Sequence, residues 1–407
     1  MTFSALADQL TAYPEDERGV VYQAYGFASG LSEPETLRNF LPVSLDIACE
    51  LASLRMPLEF VSSALLYYPI SAGILRVGDL GVRTKALKDR LHEALAALLH
   101  VGLVFDQFLP WRMQEDHQAQ LLTARLSLAL HHADSRNEGE RLRHAGTLLG
   151  ALLSTQMPEI PITKSVERVC LLERGAQFLP PTVLRMLAQE ALDVHAVAME
   201  ALGMQRLRSR LDDRAFATLL PDQHAAALRD LAERKEERDV LIDCAIRELA
   251  RRLERARIEA DISGRAKHLY GLYLKSRRTG LPIQEINDSL AIRVIVGTVE
   301  DCYSVLDLVF GLWQCAEGVY ETGRYRDWIA TPKPNGYQSL HVTVHYPDVS
   351  CGLLEVQIRT HEMHEIAEYG VATHWLYKRP DPGALRRSVY GKYVAEMARL
   401  RRQLERH

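Results

Sequence analysis

Residues Ala330–Thr360 read ATPKPNGYQSLHVTVHYPDVSCGLLEVQIRT, and this stretch decides how the second half of the chain is read. A basic loop broken by glycine, Lys333-Pro334-Asn335-Gly336-Tyr337-Gln338-Ser339, runs into two segments of strand-like alternation, Leu340–Tyr346 and Leu353–Ile358. In the first, Leu340, Val342 and Val344 share one face, and His341, Thr343 and His345 share the other. In the second, Leu354, Val356 and Ile358 lie opposite Leu353, Glu355, Gln357 and Arg359. Two readings follow. One is a half-buried hairpin with a solvated outer face; the other makes the polar face the floor of an active site.

Working outward, residues up to about Arg208 read as helices. Val43–Leu54, Glu59–Tyr67, Thr84–Val104, Gln118–His131, Arg141–Leu153 and Pro181–Leu202 carry apolar residues at helical spacing. Prolines at Met56-Pro57, Tyr68-Pro69, Met157–Pro161 and Leu179-Pro180-Pro181 read as breaks, and Asp134–Arg141 as a polar loop. Asp222–Ala260 predicts a long, partly exposed helix linking two domains, with Leu231, Val240, Leu241, Ile246, Leu249 and Leu253 turned inward. Ile262-Ser263-Gly264 reads as a break. Strand Asp288–Val296, helix Glu300–Leu312, segment Arg324–Ala330, the hairpin, and a helix from His361 to about Lys378 follow. Arg386–Arg402 predicts a closing amphipathic helix. The expected organisation is therefore an all-α unit over 1–208, a helical linker over 209–260, an α/β domain over 261–380 and a C-terminal helix over 381–407.

The 407 residues are too many for one ordinary core. With 47% hydrophobic and 25% charged residues, the composition is that of a soluble globular protein, expected in the cytoplasm. A net charge of −4 gives no bulk field to attract nucleic acid or membrane, so any anion site must be local. The six cysteines are far apart, with no CxxC pair, which predicts buried thiols in a reducing compartment rather than zinc or disulfides. The longest apolar run, Ala94–Phe105, is interrupted by His100 and falls short of the ~20 residues that span a bilayer.

There is no GxxxxGK(S/T) and no GxGxxG, so nucleotide phosphates would be held without a P-loop or Rossmann turn. Dispersed cations stand in their place. Arg265 and Lys267 are expected at the start of a helix with Lys275 about two turns on, and Arg324, Arg326 and Lys333 precede the hairpin. Arginine pairs with phosphate through two donors and stacks on bases, while lysine supplies a point charge. Each alone reads as a surface charge; together beside Asn335-Gly336-Tyr337 they read as a phosphate site, with Tyr337 as a stacking platform or a turn aromatic. Asp288 opens a strand and Glu355 sits in mid-strand. If those strands are neighbours, the two carboxylates can share one Mg²⁺ with substrate phosphates.

Ser263–Tyr270, Asp288–Arg293, Pro332–His341, Glu355–Thr360 and Met363–Trp375 resemble, in order and spacing, the synthetase domain of the RelA/SpoT family, which makes the alarmone (p)ppGpp. The helical first half resembles, more weakly, the family's HD hydrolase domain, and Ala191–Arg238 its connecting helices. The resemblance implies a multidomain fold: a degenerate all-helical HD-like unit, then an α/β nucleotidyltransferase-like domain with a mixed sheet. It implies that Arg265 and Arg293 sandwich the adenine of ATP, and that Lys267 and Lys275 hold its phosphates. Asp288 and Glu355 would be the catalytic pair binding Mg²⁺, with Glu355 taking the proton of the acceptor's 3′-hydroxyl. Tyr337, with Asn335 and Gln338 in its loop, would meet the guanine of GDP or GTP; Arg326, Lys333 and His341 would hold the 5′-phosphates.

The chain also departs from the family. Where the hydrolase carries a His-Asp pair, it reads Ala64-Leu65-Leu66-Tyr67-Tyr68-Pro69, and His131-His132-Ala133-Asp134 precedes a polar loop. This implies no hydrolase activity, because neither tyrosine nor proline replaces a histidine–carboxylate metal site. Arg324-Tyr325-Arg326-Asp327 is of the basic type found in bifunctional members, Trp313–Gly323 is longer than usual, and Gly271 stands where serine is common. The family's long C-terminal regulatory half does not follow, so a ribosome or tRNA link is expected only if the chain is part of a longer one. Intramolecular control by the helical half is expected. Two alternatives stand beside a (p)ppGpp synthetase: the same chemistry on an adenine nucleotide or a tRNA 3′-end, and a catalytically silent regulatory module.

Overall fold

The computed structural model describes residues 1–30, 35–71, 75, 89–98, 141, 145–150, 152, 157–233, 235–264, 268–283, 290–314, 325–346 and 353–373. Arg265, Lys267 and Asp288 lie outside these residues, as do the expected elements Gln118–His131 and Arg386–Arg402, the segment His131–Asp134 and most of Trp313–Gly323. The chain divides into two compact units. One contains Met1–Leu219 with the described residues from Val371, and the other contains Leu220–Gly370.

The first unit is helical: α1 (Phe3–Leu10), α2 (Glu15–Gly30), α3 (Glu35–Ser53), α4 (Leu58–Ser71), α5 (Glu159–Arg174), α6 (Pro181–Glu190), α7 (Ala196–Ala201) and α8 (Gln205–Leu219). Residues 89–98 and 145–150 are also helical. A π-turn, Ala191–His195, joins α6 to α7. α3 packs on α4, and α5 packs on α3 and α8. Met56-Pro57 and Pro180-Pro181 separate helices as expected, whereas α4 runs through Tyr68-Pro69 to Ser71. Pro69 sits in the last turn, so its missing N–H costs one terminal hydrogen bond and the helix survives.

The second unit wraps a five-stranded mixed sheet in the order β1-β2-β5-β4-β3: β1 (Ala260–Gly264), β2 (Ala291–Val296), β3 (Tyr325–Asp327), β4 (Leu340–His345) and β5 (Leu353–Thr360). β2 and β5 are parallel; all other pairs are antiparallel. Its helices are α9 (Pro221–Glu233), α10 (Lys235–Ala256), α11 (Leu269–Thr279), α12 (Val299–Leu312) and α13 (His361–Tyr369). Thr298 and Asp301 form a reciprocal capping box that starts α12, and Thr360 caps α13 by accepting from the N–H of Met363.

Alternation sorts the sheet into two faces. Ile292, Val294 and Val296 of β2, Leu340, Val342 and Val344 of β4, and Leu354, Val356 and Ile358 of β5 are buried in one core with Ala245, Leu249 and Leu253 of α10 and Cys302, Val305 and Val309 of α12. Several expectations change here. The block read as a linker supplies α9 and α10, and α10 is a wall of the core because its Ala245–Leu249–Leu253 stripe covers the sheet. Val240 lies off that stripe and is exposed. Ile262-Ser263-Gly264 is not a break but the edge strand β1. Its glycine permits close packing, since a Cβ at Gly264 would stand 2.9 Å from Cγ2 of Ile242 on α10. The helix expected to open at Arg265 begins at Leu269. The helix from His361 ends at Tyr369, where Gly370 takes φ +52°.

Among the described residues, no helix is long and apolar enough to cross a membrane. If α10 is core rather than linker, Leu249→Ala should cost about 2–5 kcal/mol in chemical unfolding of the sheet unit. A cost within ~0.5 kcal/mol, as at an exposed position, would return α10 to the role of a spacer.

Candidate active site

The polar face of the sheet gathers residues from every strand. Cα partners across a sheet share a face, and the register sets Ser263 beside Arg293, Arg293 beside Gln357, Gln357 beside His341, and His341 beside Arg326. One transverse row thus crosses all five strands. In the adjacent row, Thr343 and Glu355 are partners, and Ala291 pairs with Glu355 across the parallel β2–β5 contact. Asp288 lies three residues before Ala291 in sequence.

Glu355 is held from two sides. Gln357, itself buried, donates from Nε2 to Oε1 at 2.6 Å, and Nδ1 of His341 lies 3.2 Å from the same oxygen. Nε2 of His341 is 2.7 Å from the hydroxyl of Tyr337. The solvated-face reading of the hairpin fails on β5, where Gln357 and Arg359 are both 2% exposed. α13 packs on β5 and β2 and brings His364 and Glu368 to the arginines. Arg359 donates from Nη2 to Nδ1 of His364 at 2.8 Å and to Oε1 of Glu368 at 3.3 Å. The same Oε1 lies 3.2 Å from Nη2 of Arg293. One carboxylate therefore sets two guanidiniums on the polar face, where Arg293 was expected to meet adenine.

The loop Asp327–Ser339 is built by side chains that satisfy its backbone. Oδ1 of Asp327 accepts from the N–H groups of Ile329 and Ala330 at 3.0 and 2.8 Å. Pro334 and Asn335 form a turn closed by the N–H of Gly336 donating to the carbonyl of Lys333 at 2.8 Å, and Gly336 takes φ +82°. Oδ1 of Asn335 accepts from the N–H of Tyr337, and Gln338 donates from Nε2 to the carbonyl of Ile329. Asn335 and Gln338 thus shape the loop. The buried Ser339 hydroxyl donates to the carbonyl of Ile358, tying the loop to β5. The ammonium of Lys333 stands 5.0 Å from the ring of Trp328 and 5.1 Å from that of Tyr337, within cation–π range of both.

The structure thus brings Arg293, Arg326, Glu355, His341, Tyr337 and Lys333 to one face and its bordering loop. Lys275 sits on α11, which packs on α9. Sequence reading missed Gln357, Arg359, His364 and Glu368 as supports. The available signal was the polar parity of β5 continuing through Arg359, together with the i,i+4 spacing of His364 and Glu368 on the following helix.

In the helical unit, Tyr67 and Tyr68 face the charges of α5. Tyr68 donates to Oε1 of Glu167 at 2.8 Å, Lys164 donates to the hydroxyl of Tyr67 at 3.2 Å, and the Lys164 ammonium is paired with Glu167. Arg168 donates to Glu190 at 2.6 Å, His195 contacts Glu190 at 3.0 Å, and Ser165 contacts His195 at 3.0 Å. All these side chains are buried. Burial works against the Glu167 carboxylate, but the positive charges of Lys164 and Arg168 outweigh it and hold its pKa below the usual range. Burial lowers the pKa of His195, against the opposing bond from Glu190, so its ring is neutral.

Residues 264–381 match the sequence family described as "Region found in RelA / SpoT proteins". The GTP pyrophosphokinase of Streptomyces coelicolor is 39% identical over 54% of this chain and 25% of its own length. A probable GTP pyrophosphokinase of Mycobacterium leprae is 29% identical over 93% of this chain and 44% of its own. The guanosine-3′,5′-bis(diphosphate) 3′-pyrophosphohydrolase of Aquifex aeolicus is 28% identical over 91% of this chain and 47% of its own. The chain thus spans less than half the length of each of these relatives.

Burial, with the charges of Arg359 and Arg293 adding to it against Glu368, lowers the pKa of His364 to about 4. In the unfolded chain it would titrate near 6.5. The stability this neutral imidazole contributes is complete above pH 6.5 and is lost as pH falls towards 4. An NMR titration should place the His364 midpoint near 4; a midpoint near 6.5 would show that the Arg359–His364 contact does not persist in solution.

Proposed function

We infer from a chain that carries a RelA/SpoT-family region over residues 264–381 that its sheet unit is an ATP-dependent pyrophosphokinase. It would transfer the β,γ-pyrophosphate of ATP to the ribose 3′-hydroxyl of GDP or GTP. The observation that carries this reading is the Glu355 carboxylate, oriented by Gln357 and His341 on a sheet face that also carries Arg293 and Arg326.

In the proposed step Glu355 takes the proton of the 3′-hydroxyl as the O3′–Pβ bond forms. The bond from Pβ to the bridging oxygen breaks, and AMP leaves. Arg293, fixed by Glu368, offers a flat cation for adenine. Tyr337 offers its ring to guanine, while Lys333 beside it and Arg326 on β3 meet the acceptor's phosphates. Arg265, Lys267 and Lys275 would complete the ATP side. Glu355 and Asp288 supply hard oxygen donors that suit Mg²⁺, which when bound neutralises phosphate charge. Such catalysis rests on positioning and charge neutralisation.

The helical unit is proposed to restrain or support synthesis rather than to hydrolyse the product. At the place of the family's His-Asp pair stand Tyr67 and Tyr68, and the nearby Glu167 carboxylate is already neutralised by Lys164. Neither tyrosine offers the histidine–carboxylate donors of a hydrolytic metal site. Release of pyrophosphate from ppGpp in the presence of Mn²⁺ would overturn this part.

The whole reading is tested with γ-labelled ATP, Mg²⁺ and separate GDP, GTP, ATP and tRNA acceptors. Label should appear on a guanine nucleotide and fall about 100-fold or more in Glu355→Gln and in Asp288→Asn. Label on an adenine nucleotide or on tRNA would reassign the acceptor, and turnover undiminished in Glu355→Gln would remove Glu355 from the chemistry.

A further inference from the structure

We propose that His341 is a positioning residue that ties the hydroxyl of Tyr337 to the carboxylate of Glu355, so that alignment of the proton acceptor is coupled through one imidazole to the residue that meets the acceptor base. The inference rests on the roles just given to Tyr337 and Glu355.

The geometry is specific. His341 lies on β4 with Gln357 as its partner, which makes Glu355 its diagonal neighbour on the same face. Its Nδ1 is 3.2 Å from Oε1 of Glu355 and its Nε2 is 2.7 Å from the hydroxyl of Tyr337. A carboxylate has no hydrogen to give, so Nδ1 carries one. In the neutral ring Nε2 is then an acceptor, and the Tyr337 hydroxyl donates to it. Both ring nitrogens are thus directed at protein groups.

The two ends of the link are held independently. Tyr337 is anchored through its backbone: its N–H donates to Asn335, and its carbonyl accepts from the N–H of Lys333 at 3.1 Å. Glu355 is held through Gln357 as well as His341, both on Oε1, so turning the carboxylate breaks both contacts. A base stacked on Tyr337 therefore presses on a ring whose hydroxyl sets the rotation of His341, and His341 in turn sets Glu355. The ring face of Tyr337 supplies affinity, and its hydroxyl supplies alignment.

Tyr337→Phe separates these two contributions. GDP affinity, measured calorimetrically without ATP, should stay within about twofold of wild type, while kcat should fall roughly five- to tenfold. Tyr337→Ala should lose GDP affinity as well. In His341→Asn the amide can still donate to Glu355 but cannot reach Tyr337, so adding Tyr337→Phe in that background should change kcat no further. A Tyr337→Phe enzyme with wild-type kcat, or effects that simply multiply in the double variant, overturns the proposal. A second readout does not depend on turnover. The ¹⁵N spectrum of His341 should show a protonated Nδ1 and an acceptor Nε2 whose signal moves in folded Tyr337→Phe protein. An unmoved Nε2 signal overturns the link whatever the activity, whereas a moved signal in a protein that labels no guanine nucleotide faults the functional reading instead.

Discussion

The sheet unit depends on one constraint, the two-residue period of β5 held between two strands that both pair with it. Leu354, Val356 and Ile358 are all but fully buried, and α10 and α12 close over that face. A slip of one residue against either neighbour would drive Glu355, Gln357 and Arg359 into an apolar core without partners. The hydrophobic demand of one face therefore fixes where every polar group of the other face must stand. The parallel pairing with β2 sets Arg293 beside Gln357, and the antiparallel pairing with β4 sets His341 there from the opposite side. The loop that presents Lys333 and Tyr337 follows from the same register, because Ser339 anchors it on the Ile358 carbonyl.

Burying charge on that face required a second set of partners. Arg359 is nearly inaccessible and Arg293 is close by, an arrangement that desolvation and mutual repulsion would both oppose. Glu368 answers both guanidiniums with one oxygen, and His364 stays neutral so that it can accept from Arg359. The helical unit solves the same problem with Lys164 on Glu167 and Arg168 on Glu190, while His195 remains uncharged between Glu190 and Ser165. Paired buried charges add little net stability, yet losing one partner is costly. Both clusters therefore specify a conformation more than they strengthen it. In the sheet unit the result is a cationic face with a carboxylate set into it; in the helical unit the carboxylates are spent on internal cations.

What the sequence determined by itself was local. The alternation in Leu340–Val344 and Leu354–Ile358 assigned the hairpin, its buried face and the polar parity of Glu355, because strand period and hydrophobicity are properties of adjacent residues. The motif residues from Lys333 to His341 were legible for the same reason. Tertiary structure decided whatever depends on residues distant in the chain. Pro69 ends no helix, since one missing terminal bond is tolerated in a packed helix. Gly264 signals the close approach of Ile242 rather than a turn, and no local pattern could reveal that contact. The charge-rich block after Pro221 looked like a spacer because its apolar stripe is narrow, yet Ala245, Leu249 and Leu253 close the core. The contacts that give the face its chemistry, from Glu368 to two arginines and from His341 to Tyr337 and Glu355, join separate elements. Their existence follows from strand order and register, which long-range burial chooses and sequence neighbours cannot.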